Sequence, residues 1–125
     1  MSATRVEFPA DPSCIPEMRA LAGAMCARFN LTVDAIEDAK HALDEALTIV
    51  VGVAQPESTI TCTLHASAES FQARVSVPHD ADDKTDVTSG LAWKVLCGMT
   101  HETRIHRDEG QTTVHFAVNV DASAG

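Results

Sequence analysis

A long helix with a broad apolar face is the feature that most constrains the fold of this chain. The segment from Val33 to Ala54 carries apolar residues around roughly half of a helix circumference, at about 100° per residue. Its central positions recur at helical spacing and are Ile36, Leu43, Leu47 and Val50. A stripe of this width must pack against more than one neighbour. The segment therefore predicts a central helix in a layered domain, with Leu43 and Leu47 buried against a sheet.

One shorter helix is predicted before this segment and one after it. Asp11 and Pro12 form a suitable start for the first, because aspartate caps a helix and proline suits its first position. The apolar face of this first helix comprises Ile15, Met18, Ala22, Met25 and Phe29. Thr32 is placed to cap the central helix and Thr88 to cap the last one. The apolar residues of the last helix are Leu91, Ala92, Val95, Leu96 and Met99.

Five short segments with strand character complete the layout, most clearly where apolar and polar residues alternate. They are Thr4–Phe8, Ser58–Ala66, Ser70–Val77, Glu102–His106 and Thr112–Val120. The last two form a hairpin across Arg107–Gly110. The order β-α-α-β-β-α-β-β predicts an α+β fold, a two-layer sandwich whose mixed, mostly antiparallel sheet is covered on one face by three helices. We expect residues 1–120 to form one domain and residues 121–125 a disordered tail.

The charge balance argues against direct binding to DNA or RNA. Lys and Arg number 9 and Asp and Glu number 18 among 125 residues, which gives a formal net charge of -9. A nucleic-acid-binding protein needs an excess of cations to neutralise phosphates, and an acidic surface instead suits a basic protein partner. The longest apolar run, Ala46–Ala54, is less than half of a membrane span. With no targeting signal in the sequence, a cytoplasmic location without membrane attachment is expected.

The cysteines, histidines and single tryptophan point to no metal or redox site. The four cysteines form no C-x-x-C pair and are expected to be reduced and mostly buried. The six histidines show no zinc-binding spacing, and most are expected on the surface of strands. Trp93 lies outside the core stripe of its helix. It is therefore expected to be partly exposed, either as an interface anchor or packed at the edge of the sheet.

Three segments, together with the order of elements, resemble one family. They are Asp38–Ala54 (DAKHALDEALTIVVGVA), Ser89–Leu91 ahead of the last helix, and Asp108–Val118 (DEGQTTVHFAV) in the closing hairpin. From roughly Arg5 to Val120 the chain resembles the serine-kinase type of anti-sigma factor, the RsbW-like family. These proteins share the ATP-binding fold of histidine kinases, Hsp90 and gyrase.

The resemblance implies a set of functional expectations. Such a protein sequesters an RNA polymerase sigma factor, often in a stress response, and an anti-anti-sigma protein counteracts it. It binds ATP and Mg²⁺ and phosphorylates the anti-anti-sigma protein, and it forms a homodimer. The resemblance places Glu45 as the catalytic base and as part of the nucleotide site, with Gly90 in the phosphate-facing turn. Asp80 or Asp82 could replace the adenine-binding aspartate of the family, but only weakly and after a shift of register.

Two departures from the family pattern indicate that the nucleotide site is eroded. Family members carry an Asn four residues after the Glu, where it holds Mg²⁺, but this chain has Ile49, which offers no oxygen ligand. After the third strand the family has an Asp-x-Gly-x-Gly turn, whereas Pro78–Asp83 contains no glycine. We therefore expect ATP binding to be weak or absent and any Mg²⁺ dependence to be lost.

Three functions remain open from the sequence. The first is an anti-sigma factor that acts by binding alone. The second is an ATP-dependent serine kinase with Glu45 as the base, and the third is a pseudokinase scaffold in another signalling pathway. The acidic loop at residues 79–83 is expected to be solvated or to contact a basic partner, since no turn glycine or later glutamate completes a calcium-binding loop.

Overall fold

One antiparallel sheet, covered on one side by helices, forms the domain in the computed structural model, which describes residues 2–120. The strands are β1 (Ser2–Pro9), β2 (Thr59–Ala66), β3 (Ser70–Pro78), β4 (Glu102–Asp108) and β5 (Gln111–Asn119). The helices are α1 (Ile15–Arg28), α2 (Val33–Val53) and α3 (Leu91–Met99). The sheet order is β1-β2-β3-β5-β4, and each neighbouring pair is antiparallel. The predicted α+β two-layer sandwich is confirmed, with the correction that the sheet is antiparallel between all of its described strands rather than mixed. The predicted tail lies outside the described residues.

Helix α2 is the centre of the helical layer, as its broad apolar face predicts. The Thr32 hydroxyl caps it by accepting a hydrogen bond from the Ala35 N–H at 3.1 Å. Leu43 and Leu47 are fully buried, which confirms their predicted place in the core. The helix packs against α1, α3, β3 and β5. Burial on several sides is what forces so many of its positions to be apolar.

The strands alternate between a buried face and an outer face. Along β3 the inward residues Phe71, Ala73, Val75 and Val77 are buried, and the polar residues between them are not. The Phe71 and Phe116 rings face each other across neighbouring strands, with centroids 6.1 Å apart. The helices cover the buried face only, so the polar outer face of the sheet has no covering layer within the described chain.

Two local predictions are corrected. Thr88 does not cap the last helix: Asp86 caps a short 3-10 turn at Val87–Ser89 by accepting from the Thr88 N–H at 3.0 Å, and α3 begins after Gly90. The final hairpin turn is also shorter than predicted. It comprises Glu109 and Gly110, both with positive φ (50° and 77°), because two such residues match the right-handed twist of the strands.

The cysteines divide into buried and exposed positions. Cys14, Cys26 and Cys62 are buried, as predicted, whereas Cys97 on α3 is exposed. Cys97 follows buried Leu96, and one residue rotates a helical side chain by about 100°, which is enough to bring it to solvent. Within residues 2–120, no helix is long and apolar enough to cross a membrane.

Candidate functional site

Glu45 lies on α2 in a half-buried position beside a histidine. Its side chain is 22% exposed, and its Oε1 atom is 3.4 Å from Nε2 of His41, one turn earlier on the helix. Residues four apart on a helix are neighbours, so this contact follows directly from the sequence spacing. Glu45 is therefore available to solvent and has a basic side chain beside it. Its catalytic role remains a prediction.

Ile49, one turn after Glu45, belongs to the hydrophobic core. Its side chain is only 7% exposed, and it is part of the same apolar cluster as Leu47 and Val50. Helix α3 packs against α2, and Ala92 and Trp93 lie against this cluster. The half-buried Trp93 agrees with its predicted partial exposure. The position at which the family implies a metal-holding amide is thus closed by apolar packing.

The residue that follows β3, His79, is buried, although the sequence predicts a solvated loop from this residue onward. His79 is 7% exposed, and its Nδ1 atom lies 2.8 Å from Oγ1 of Thr112 on β5. Its backbone N–H donates to the Gly110 carbonyl at 2.8 Å. The signal that predicts this burial is the continued alternation of Val75, Val77 and His79, which share one face of the strand. Asp80, the next residue, is exposed.

An arginine from the last hairpin holds the loop that follows β3. Arg107 donates from Nε to Thr112 Oγ1 at 2.9 Å, and it also donates to the Thr85 carbonyl oxygen. A further guanidinium nitrogen of Arg107 lies 3.6 Å from the Asp83 carboxylate. Arg107 was predicted to be part of a turn, but it is the second last residue of β4. Its inward side chain ties the loop to the sheet.

The aspartates of this loop are engaged by the loop itself. Asp83 accepts from the Thr85 N–H at 2.8 Å, and Asp80 accepts from the Asp82 N–H at 3.0 Å. The hydrogen bonds from Thr85 lower the pKa of Asp83, and the Arg107 charge acts in the same direction. The loop was predicted to be solvated, and its residues Asp80 and Asp82 are exposed. It is also ordered by backbone hydrogen bonds that its own aspartates accept.

The structure does not gather the three predicted nucleotide-site residues around one cavity. Asp80 lines an open cavity of about 360 Å³ together with the end of α2, including Gly52 and Gln55. Neither Glu45 nor Gly90 lines it. Gly90 is exposed with a φ of -81°, and an added Cβ would meet only the Val87 carbonyl, at an ordinary 3.7 Å. No close approach therefore requires a glycine at this turn.

A polar cleft between α1 and α2 lies beside the Glu45 region. It has a volume of about 550 Å³ and is lined by Arg19, Glu37, Asp38, Lys40, His41 and Asp44. Arg19 pairs with Asp44 at 3.2 Å, a contact between two helices that the sequence did not predict. Burial raises the pKa of Asp44, and Arg19 opposes that shift. The second carboxylate oxygen of Asp44 is buried and has no hydrogen-bond partner among the described residues.

The sequence matches the histidine kinase-like ATPase domain family over residues 8–118. The chain therefore belongs to this family, and its fold is that of the family. It is also similar to the crystal structure of the RsbU and RsbW domains of Rv1364c from Mycobacterium tuberculosis, with a TM-score of 0.72 and 17% sequence identity. That similarity covers 94% of this chain and 32% of the chain in that structure, so this chain spans about a third of the structure's length. No curated protein is significantly similar in sequence.

The side chains at the family's nucleotide position do not fit ATP with Mg²⁺. Mg²⁺ takes oxygen ligands in near-octahedral geometry, and the buried Ile49 supplies none. At the end of β3, the inward residue is His79, whose Nδ1 is already engaged with Thr112. The carboxylates nearby, Asp80 and Asp83, would repel a triphosphate. Among the described residues, the positions that the family resemblance assigns to Mg²⁺ and nucleotide therefore do not offer the expected ligands.

Proposed function

We propose that this protein is a cytoplasmic regulator of the anti-sigma type, which sequesters an RNA polymerase sigma factor by binding alone. Membership of the histidine kinase-like ATPase family and similarity to a structure containing an RsbW domain support the class of protein. The observation that carries the binding-only proposal is the buried Ile49, which closes the position where a kinase of this fold needs a metal ligand. An anti-anti-sigma partner that binds the free protein releases the sigma factor by shifting the binding equilibrium.

The acidic helical side is the surface that we propose for the sigma factor. Helix α2 carries five carboxylates against one lysine, Lys40. Three of the five line the cleft, where Lys40 pairs with Glu37 and Arg19 pairs with Asp44. A sigma factor must carry basic surfaces where it contacts DNA, because phosphates are neutralised by cations. Covering those surfaces with an acidic one would block DNA contact. Complementary charge of this kind also raises the rate of association.

The alternative function is the serine kinase, and the half-exposed Glu45 is the observation in its favour. In that case Glu45 would accept the proton of the substrate hydroxyl during phosphoryl transfer. Incubation with labelled ATP and the anti-anti-sigma protein tests this directly. Phosphate transfer that is lost in Glu45→Ala would establish the kinase, whereas no transfer is expected under the binding-only proposal.

Affinity purification from an extract of the source cells, followed by mass spectrometry, tests the proposed partner. We expect a sigma factor to be recovered, and we expect Glu45→Ala to recover it equally well. Recovery of another signalling protein without any sigma factor would favour the pseudokinase scaffold. A folded Glu45→Ala variant that no longer retains the sigma factor would place Glu45 in the partner surface.

A further inference from the structure

A row of cationic side chains crosses the outer face of the sheet. The strand register places Arg5, Thr63, Arg74, His115 and Arg104 side by side, one from each strand in sheet order. We call these five residues the arginine row. Their neighbours along each strand, such as Val75 on β3, point into the core, so the row faces away from the helices.

The outer face has a charge balance unlike the rest of the protein. In the part of the chain that the structure describes, this face carries three cations, all in the arginine row, and three carboxylates, Glu7, Glu102 and Asp108, although carboxylates outnumber cations 18 to 9 in the whole sequence. The excess of carboxylates therefore lies on the helical layer and the loops. Each carboxylate of the outer face is also paired locally: Glu7 with Arg5 at 3.0 Å, Glu102 with Arg104 at 2.7 Å and Asp108 with His106 at 2.9 Å.

Arg74, on the middle strand of the sheet, is the exception. Among the described residues no carboxylate lies within 4.0 Å of its guanidinium, and the side chain is exposed. Beside it, the Nδ1 atom of His115 is buried and has no hydrogen-bond partner within residues 2–120. Burial is the largest cause that lowers the pKa of His115, and the charges of Arg104 and Arg74 act in the same direction. The centre of the face therefore holds an unmatched positive charge and an unused hydrogen-bonding atom.

A groove leads from this centre to the edge of the sheet. Its volume is about 450 Å³, and its lining includes Arg74, Arg104 and His115, with Ile105 and Trp93 at the β4 edge. Strand β4 pairs only with β5 among the described strands, so its other side leaves backbone groups open to a partner. Cations, an aromatic ring and an open strand edge thus meet in one place.

We propose that the arginine row and this groove bind an acidic segment of a partner protein, with a carboxylate on Arg74, which has no carboxylate partner among the described residues, and an apolar side chain against Trp93. Charge complementarity favours such a partner on this face and disfavours it on the acidic remainder of the protein. The arginine row lies on the opposite side of the sheet from α2 and Glu45, and Trp93 of α3 reaches the groove only at the β4 edge. A sigma factor on the helical side and an acidic partner here can therefore be bound together, and this site does not depend on the proposed function.

Two other occupants fit the face less well. A second copy bound through the same face would bring the central Arg74 of each protomer towards the other arginine row, since a two-fold interface is self-complementary. The homodimer implied by the family resemblance would then require another surface. Single-stranded nucleic acid needs several unmatched cations and aromatic rings for stacking, but two of these three arginines are already paired and Trp93 is at the edge.

The proposal is tested by measuring the binding of a fluorescein-labelled decaglutamate peptide to the full chain, by fluorescence anisotropy at low salt. Arg74→Glu is expected to weaken binding about tenfold or more. Arg28→Glu makes the same change of charge at an exposed arginine on α1, and it is expected to change the affinity less than about twofold. Equal losses in both variants, or no binding by the unmodified chain, would overturn the proposal.

NMR mapping of backbone amide chemical shifts uses the unmodified protein, so its result does not depend on whether a variant folds. Peptide-induced shifts are expected to centre on Arg74, Arg104 and His115, and shifts centred on α2 would contradict the site. Light scattering that shows a dimer dispersed by Arg74→Gln would assign the face to self-association instead. If an oligothymidylate shifts these same amides and binds more tightly than the peptide, the outer face is assigned to nucleic acid.

Discussion

The Nδ1 atom of His79 lies 2.8 Å from the Oγ1 atom of Thr112, and both residues are buried. The same hydroxyl accepts a hydrogen bond from Arg107 at 2.9 Å. A hydroxyl has one donor and two acceptor positions, so it can serve both partners. This network joins β3, β4, β5 and the loop at the end of the sheet where the family resemblance expects nucleotide. In this chain the polar groups there bind each other.

Removing the arginine of this network should loosen the loop. Arg107→Ala deletes the contacts to Thr112, Thr85 and Asp83, and we expect faster amide hydrogen exchange across residues 80–90 with a loss of stability of about 1–3 kcal/mol. Arg104→Ala is the matched control, because Arg104 is on the same strand but points to the outer face. Unchanged exchange in Arg107→Ala would show that the loop is ordered without the arginine.

The packing of α2 against the sheet makes Leu47 critical for stability. Its side chain is fully buried, and Leu47→Ala should lower the free energy of unfolding by about 2–5 kcal/mol, since it leaves a cavity that the core closes only in part. Val33→Ala, at a position 75% exposed on the same helix, should change it by less than about 0.5 kcal/mol. Denaturant titration measures both. A loss under about 1 kcal/mol for Leu47→Ala would contradict the role of this contact.

Nucleotide binding should be weak and independent of metal. The buried Ile49 offers Mg²⁺ no oxygen, and the turn after β3 lacks glycines that would let the chain approach the base. Isothermal titration with ATP should therefore give the same small heats with and without Mg²⁺. Tight, Mg²⁺-dependent binding of ATP would contradict this prediction and favour the kinase function.

Binding of the proposed sigma factor should depend on salt. Glu37 and Asp38 beside the α1–α2 cleft are exposed, so salt screens their charges, and screening acts over about 10 Å at 0.1 M salt. The affinity should fall as ionic strength rises, mainly through slower association. Titrations at low and high salt measure this, and an affinity that does not change would exclude an electrostatic interface.

The four cysteines should react in two classes. Burial raises the pKa of Cys26 to about 11 and that of Cys62 to about 12, so little thiolate forms at these sites near neutral pH. Cys97 is the exposed thiol among the four, although its pKa is also raised. A chromogenic disulfide reagent should therefore modify Cys97 first. Cys97→Ser should remove the fast phase of the reaction. A fast phase that persists in the folded Cys97→Ser variant would contradict the assignment.

The sequence by itself determined the elements and the side of each element that is buried. Helical spacing placed Leu43 and Leu47 in the core, and strand alternation predicted the buried side chains of β3. These properties are local, because the periods of 3.6 and 2 residues are set by the backbone geometry of helix and strand. The burial of His79, in a segment predicted to be a solvated loop, was established only by the structure. The family resemblance, rather than either period, marks Ile49 as the residue that conflicts with metal binding.

Only the tertiary structure decided which of these side chains meet. Arg5, Arg74 and Arg104 are far apart in the sequence, and they form a row because the sheet order β1-β2-β3-β5-β4 and its register bring them side by side. The contact of Arg107 with the loop likewise depends on a hairpin turn of two residues rather than four. Strand alternation selects a face, but strand order and register come from the packing of the whole core, which no short stretch of sequence contains.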